Sequence, residues 1–234
     1  MAIAENYFIN SPVFLKYKKR FNFSKFKTEK YLKSVFINER IVEIPFALQA
    51  VGRLSEGSTV LDVGCSESVL SLQLAGLGYK VTGYDFRKYP YTHPNLEFEQ
   101  GDILEIPFPE ESFDAVTAIS TIEHLGIGFY TDPRQVEEAD KKGVEGIYRI
   151  LTKGGVFIFS IPYGQKDMNQ HQRVYDEGSV AALIDGFSIL DKRFFINTQQ
   201  NGRANAWIEA SAQEAKDVRS GEKTNGVCLI KASK

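Results

Sequence analysis

From residue 39 onward the spacing of apolar positions alternates between two periods. In "ERIVEIPFALQAVGRL" (39–54), Ile41, Ile44, Leu48 and Val51 recur at helical spacing, with Pro45 early in the run, and predict a helix. "TVLDVG" is a short continuous apolar run closed by Gly64, the pattern of a strand buried on both faces of a parallel sheet. "SVLSLQLAGLG" then predicts a helix stopped by Gly78, and "YKVTGYD" a second strand, which completes a βαβ unit. The alternation continues through "LEFEQGDI", "FDAVTAIS", a long polar helix ending in "VEGIYRILTKGG", and "GVFIFSIP"; "FSILDKRFFIN" and "GVCLIKAS" supply two last strands. The pattern predicts an α/β, doubly wound, mostly parallel seven-stranded sheet over residues 57–234. A helical arm or lid is expected over residues 1–56. In such sheets ligands bind at the carboxyl ends of the strands, where the strand order reverses.

Composition narrows the class. The 234 residues, 43% hydrophobic and 25% charged, suffice for one well-buried core. No apolar run approaches the roughly 18 residues of a membrane span, and the N-terminus lacks a signal-peptide pattern, so no membrane partner and a cytoplasmic location are expected. Cys65 and Cys228 are too few and too separated to predict a disulfide framework or a zinc site. The net charge of -2 divides unevenly: residues 1–40 hold nine Lys or Arg against three Asp or Glu, leaving an acidic remainder. In "KYKKRFNFSKFKTEKYLK" the basic residues interleave with Phe and Tyr, which suits single-strand nucleic-acid contact. A helical arm packing its aromatics on an acidic body, lysines solvated, is the favoured reading, so nucleic acid is not the expected partner.

The candidate chemistry starts at the turn after the first strand. Gly64 lets the backbone approach a ligand, and the following helix offers free N–H groups. A dinucleotide fingerprint G-x-G-x-x-G fails here, because its steps fall on Gly64, Ser66 and Val69. The frame D-x-G-x-G-x-G gives Asp62, Gly64, Ser66 and Ser68, with two small hydroxyl residues in place of glycines.

On these segments the chain resembles the class I S-adenosylmethionine-dependent methyltransferases, with their Rossmann-like sheet. "VLDVGCSES" is similar to the family's first motif, "VTGYDF" to the second, "GDI" to the adenine-side motif, "FDAVTAISTIEHLG" to the fourth strand and its catalytic edge, and "ILTKGGVFIFSIP" to the fifth-strand entry. The resemblance implies S-adenosyl-L-methionine as cofactor. It implies binding by Asp62, Gly64, Cys65, Ser66 and Ser68, by Asp85 on the ribose hydroxyls beside Phe86, by Asp102 and Ile103 at the adenine, and by Ser120. "ERIVEIPF", "HPNLEF", "STIEHLGIGFYTDP" and "HQRVY" further resemble a bacterial subgroup associated with sugar or polysaccharide modification. In that subgroup G-x-G-R-Y-G-D stands where this chain has "GIGFYTD".

Methyl transfer from a sulfonium is an in-line displacement, so alignment supplies much of the catalysis, roughly 7 to 11 kcal/mol. A hydroxyl acceptor also needs a base. His124, at the end of the fourth strand, is the first candidate, with Glu123 beside it; a backbone-bonded loop histidine is the bland alternative. His171, with Arg173 and Tyr175, could grip a hydroxyl or anionic acceptor, or belong to a polar surface loop. Tyr130 and Asp132 could wall the acceptor or form a capped turn, and Tyr163 could close over the methionine part or simply pack. His93 is read as a loop residue, and no metal-ligand spacing is present. The reading is a methyltransferase acting on a hydroxyl of a small molecule or sugar. RNA or protein methylation, a nicotinamide-dependent oxidoreductase and a non-catalytic partner subunit are the alternatives, and a homodimer is left open.

Overall fold

The computed structural model describes residues 37–128, 134–198, 206–221 and 223–234. The chain divides into two compact units, Met1–Ile37 and Asn38–Lys234, and the described elements lie in the second. The basic, aromatic-rich stretch lies outside the described residues.

In chain order the elements are helix α1 (Arg40–Val51), β1 (Thr59–Val63), α2 (Leu70–Gly76), β2 (Lys80–Asp85), β3 (Leu96–Gln100), β4 (Phe113–Ile119), α3 (Ala139–Ile150), β5 (Leu151–Pro162), β6 (Asp167–Met168), β7 (Arg173–Val174), α4 (Glu177–Leu183), β8 (Ser188–Asn197), β9 (Trp207–Ala210), α5 (Ala212–Ala215) and β10 (Gly226–Ser233). Eight strands form one sheet in the order β3-β2-β1-β4-β5-β10-β8-β9. The pairings from β3 to β5 are parallel, and β10 enters antiparallel between β5 and β8. The expected seven strands are all present. The eighth, β9, is a four-residue edge strand pairing Trp207–Ala210 with Phe194–Asn197 of β8, too short to announce itself by periodicity.

Strand residues sort by alternation onto two faces. Val60, Ala115, Ile119 and Ile158 pack with α1 and α2, while Leu61, Val116, Phe157 and Phe159 pack with α3 and α4. Successive strands thereby cover helices on both sides, as continuous apolar runs require.

Helix α1, expected in the arm, packs on this sheet, and its buried face is rotated from the expected one. Glu43, Phe46, Ala47, Ala50 and Val51 are buried, whereas Ile41 is 54% exposed and Ile44 and Leu48 are half-buried. A carboxylate thus occupies a core position of the helix, and its partner proves to be at the functional end of β4.

The order reverses between β1 and β4: the chain adds β2 and β3 on one side of β1, then crosses to place β4 and β5 on the other. At that point Gly64 leaves β1 in the left-handed conformation (φ 75°, ψ 32°), its N–H donating to the Tyr84 carbonyl at 2.8 Å. A Cβ there would collide with the Thr121 side chain in the loop after β4. Gly64→Ala should therefore lose roughly 2 to 5 kcal/mol, from left-handed strain of about 1–2 and overpacking of about 1–3. Thermal unfolding of Gly64→Ala, Thr121→Ala and the double variant checks this: the double should lose less than the sum of the singles. Additive losses would mean that Thr121 does not set the requirement.

Candidate functional site

A crevice of about 880 Å³, its open mouth included, lies over the carboxyl ends of β1, β2, β3 and β4. Val63, Gly64 and Glu67 form one wall, Asp85, Phe86 and Arg87 a second, and Gly101 to Leu104 a third. Ser120, Thr121, His124 and Leu125 close the β4 end together with Arg40 of α1. The Tyr84 ring packs where a side chain on Gly101 would stand, and its hydroxyl donates to the Asp102 carbonyl at 3.0 Å, so the β3 exit is pressed against β2.

Asp85 is buried at the tip of β2. One oxygen accepts from the Ser66 amide at 2.9 Å and the other from the Arg87 amide at 2.8 Å. Each carboxylate oxygen keeps a second lone pair for a ligand hydroxyl. Asp102 caps the turn Ile103–Glu105, accepting from the Leu104 amide at 2.9 Å, and pairs with Arg134. Asp62 does not line the crevice: its oxygens accept from Ser71 Oγ at 2.5 Å and Thr117 Oγ1 at 2.7 Å. Burial raises its carboxyl to about 6, against the opposing pull of those two hydroxyl bonds.

The serines that replace glycines are likewise used by the protein itself. Cys65, Ser66 and Glu67 form a short 3-10 turn before α2. Cys65 is buried under Gly83, its thiol pushed up first by burial and then by Asp62 and Asp85. Ser66 Oγ donates to the Arg87 carbonyl at 2.8 Å, and Ser68 Oγ accepts from the Leu70 amide at 3.0 Å, at the start of α2. None of the three lines the crevice; Gly64 alone of this loop's expected small residues does.

At the β4 end, Ser120 adopts a left-handed conformation (φ 44°) rare for a residue with a side chain. Three bonds hold it there: its amide donates to Ser160 Oγ at 2.9 Å, and its hydroxyl reaches both oxygens of Glu43 at 2.9 and 3.0 Å. Arg40 Nη1 donates to the Ile119 carbonyl at 2.9 Å, and its Nε lies 3.8 Å from Glu43. Neither Arg40 nor Glu43 was singled out from the sequence. The available signal was Glu43 itself, a charge on the helix face that carries Phe46, Ala47 and Ala50.

His124 Nδ1 lies 2.6 Å from the His171 carbonyl, and its Nε2 lies 3.7 Å from Glu123. Glu123 is 2% exposed, and its Oε2 has no hydrogen-bond partner. Burial raises its carboxyl to about 8, with Glu43 and Glu39 adding to the shift and Arg40 opposing it. Burial pulls His124 the other way, to about 4, with Arg40 assisting against the His171 carbonyl. Burial thus favours the uncharged form of both groups.

Residues 61–159, which carry four of these strand ends, match the methyltransferase domain family. The chain is 29% identical over 119 residues to a probable S-adenosylmethionine-dependent methyltransferase of Mycolicibacterium smegmatis, covering 49% of this chain and 42% of that protein. It is 29% identical over 181 residues to the ubiquinone biosynthesis O-methyltransferase of Pseudomonas entomophila, covering 69% of this chain and 67% of that one. The fold superposes on the 1,6-didemethyltoxoflavin-N1-methyltransferase of Burkholderia thailandensis with a TM-score of 0.57 at 17% identity, covering 82% and 78% of the two chains. Residues 61–159 form a methyltransferase domain. The chain thus spans about two-fifths of the first relative's length.

Of the remaining expected acceptor residues, the described ones do not line the crevice. Arg173 turns inward, Nη1 donating to the Leu125 carbonyl at 2.5 Å, and Tyr175 is buried with its hydroxyl donating to Asp140 at 2.9 Å. The His171 imidazole does not line the crevice either; its carbonyl is what meets His124. Tyr163 lines a separate groove with Glu177, Lys192 and Phe194, on the far side of β5. Tyr130 and Asp132 lie outside the described residues. Among the described residues no three His, Cys, Asp or Glu side chains gather as a metal-ligand set, and no helix is long and apolar enough to cross a membrane.

Glu123 gives a stability prediction. The unfolded chain releases this proton near 4.5, whereas the folded chain holds it to about 8. The folded state therefore binds more protons in that window, and its stability falls as pH rises through it. Glu123→Gln removes the proton-linked penalty, so its melting temperature relative to the parent should climb from pH 5 to pH 8 and then level off. A pH-independent difference would show that Glu123 ionises normally.

Proposed function

We propose that the chain transfers a methyl group from S-adenosyl-L-methionine to a hydroxyl of a small molecule or sugar, with His124 as the base. The observation that carries this reading is one crevice bounded by Gly64 and Asp85 at one end and by Ser120 and His124 at the other. Asp85 would accept from the ribose hydroxyls, a charge-assisted contact that neutral donors suit. Phe86, Ile103 and Leu104 offer an apolar slot for the adenine, with Asp102 near its amine. Arg40, the cation at the β4 end, would hold the cofactor carboxylate. Asp62, Cys65, Ser66 and Ser68 would act behind the binding surface by shaping the loop. The O-methylating relative supports a hydroxyl acceptor.

The proton path follows from His124. A carbonyl only accepts, so Nδ1 carries the ring proton and Nε2 keeps a lone pair. Its depressed proton affinity, near 4, makes it a weak base alone. Once Glu123 ionises, a carboxylate 3.7 Å away stabilises the imidazolium that forms during proton removal. Turnover should therefore rise with pH through about 8 and then plateau, and Glu123→Gln should abolish the rise while lowering the plateau. His124→Ala should lower turnover by about 10²- to 10⁴-fold with little change in cofactor affinity.

The deciding test is calorimetric titration with S-adenosyl-L-methionine. Binding should weaken by about 1.5 to 3 kcal/mol in Asp85→Asn, the range for a hydrogen bond to a charged group. Absence of binding by the parent at millimolar cofactor would end the reading. Formation of S-adenosylhomocysteine against a panel of phenols, hydroxy acids and sugars then identifies the acceptor class.

A further inference from the structure

We propose that residues 169–175 are a strap that sets the tautomer and aim of His124 from behind, making Asn169 and Arg173 positioning residues for the proton transfer. The inference rests on the base reading above but concerns residues that do not touch the crevice. Asn169 Oδ1 accepts from the amides of His171 at 2.8 Å and Gln172 at 3.1 Å, folding a tight turn at the strap's start. That turn presents the His171 carbonyl to His124 Nδ1 at 2.6 Å. Two residues on, Arg173 Nη1 donates to the Leu125 carbonyl at 2.5 Å and reaches the Glu123 carbonyl at 3.4 Å. The strap thus grips the residues on both sides of His124 as well as its ring.

The strap is itself anchored on three elements. Asn169 Nδ2 and Gln172 Nε2 donate to the Gly221 carbonyl at 3.0 and 3.3 Å, and Thr224 Oγ1 donates to Gln172 at 3.0 Å, tying the turn to the approach to β10. The Tyr175 amide donates to the Pro162 carbonyl at 2.9 Å, fixing the strap's end on β5. Asp140 of α3 accepts from the Tyr175 hydroxyl at 2.9 Å and faces Arg173 Nε at 3.9 Å, both charged side chains being largely buried. A polar surface loop has no use for a half-buried arginine aimed at the carbonyls of a neighbouring loop. Holding a histidine whose other nitrogen must stay unprotonated does use it.

The chain has three histidines, so long-range proton–nitrogen spectra of uniformly ¹⁵N-labelled protein resolve each ring. In the parent, His124 should show its proton on Nδ1, with His93 and His171 as internal references. An Nε2–H tautomer in the parent would overturn the proposal without any variant. In Asn169→Ala and Arg173→Gln a second tautomer of His124 should become populated. Turnover should fall at least about tenfold, part of what a positioned base supplies, at unchanged cofactor affinity. Arg173→Lys, which keeps a donor but not the fork, should recover part of the loss. Folded variants with the parent's His124 spectrum and turnover would refute the strap. If instead the tautomer shifts while His124→Ala leaves turnover intact, the strap stands and the base assignment falls.

Discussion

The crevice depends on two parallel strands parting at a point where the first of them carries no side chain. Gly64 turns left-handed at the end of β1, and Thr121 fills the space that its Cβ would take. The strands below remain locked because Asp62 of β1 accepts from Thr117 of β4 and from Ser71 of α2. Everything that lines the cavity follows from this parting. β2 brings Asp85 to one lip, and β4 brings Ser120 and His124 to the other. The missing second and third glycines of the loop do not disturb it, since the backbone there forms a 3-10 turn whose hydroxyls bond protein groups.

The second feature is the density of carboxyl groups buried around the β4 exit. Burying a charge costs several kcal/mol unless it is paired or neutralised. Three solutions appear side by side. Glu43 meets Ser120 with both oxygens and has Arg40 nearby. Asp62 receives two hydroxyl donors. Glu123 has an oxygen without a partner and keeps its proton instead. The third is the costly one, and it sits next to His124 at the β4 end of the crevice lining, the kind of unfavourable burial that functional sites concentrate.

Much of this was legible in the chain. Buried parallel strands advertise themselves by uninterrupted apolar runs, and "TVLDVG", "YKVTGYD" and "GVFIFSIP" became β1, β2 and part of β5 for that reason. Gly64, Asp85, Phe86, Asp102, Ile103, Ser120 and His124 line one cavity because each lies at or just after a strand's carboxyl end, a place that periodicity locates. What periodicity cannot give is the direction of a side chain in a loop. Arg173 and Tyr175 read as acceptor-facing, yet they point inward, because loop carbonyls and Asp140 offered partners far away in sequence. The rotation of α1 escaped for the same reason: Ile41 and Ile44 follow the helical period, but the face is set by Glu43 reaching Ser120, 77 residues away.

An uncharged His124 suits a sulfonium donor. A protonated His124 would repel a sulfonium bound in the same crevice, a penalty taken directly from cofactor affinity. Burial removes that conflict by keeping the ring neutral, and Arg40 adds to the depression. The same burial weakens the ring as a base. Glu123 compensates only when it ionises, and it does so next to a cation that then profits from the new negative charge. Under the proposed reaction, binding of the donor and activation of the acceptor would be coupled through one carboxyl group, since a sulfonium in the crevice would lower the cost of ionising Glu123.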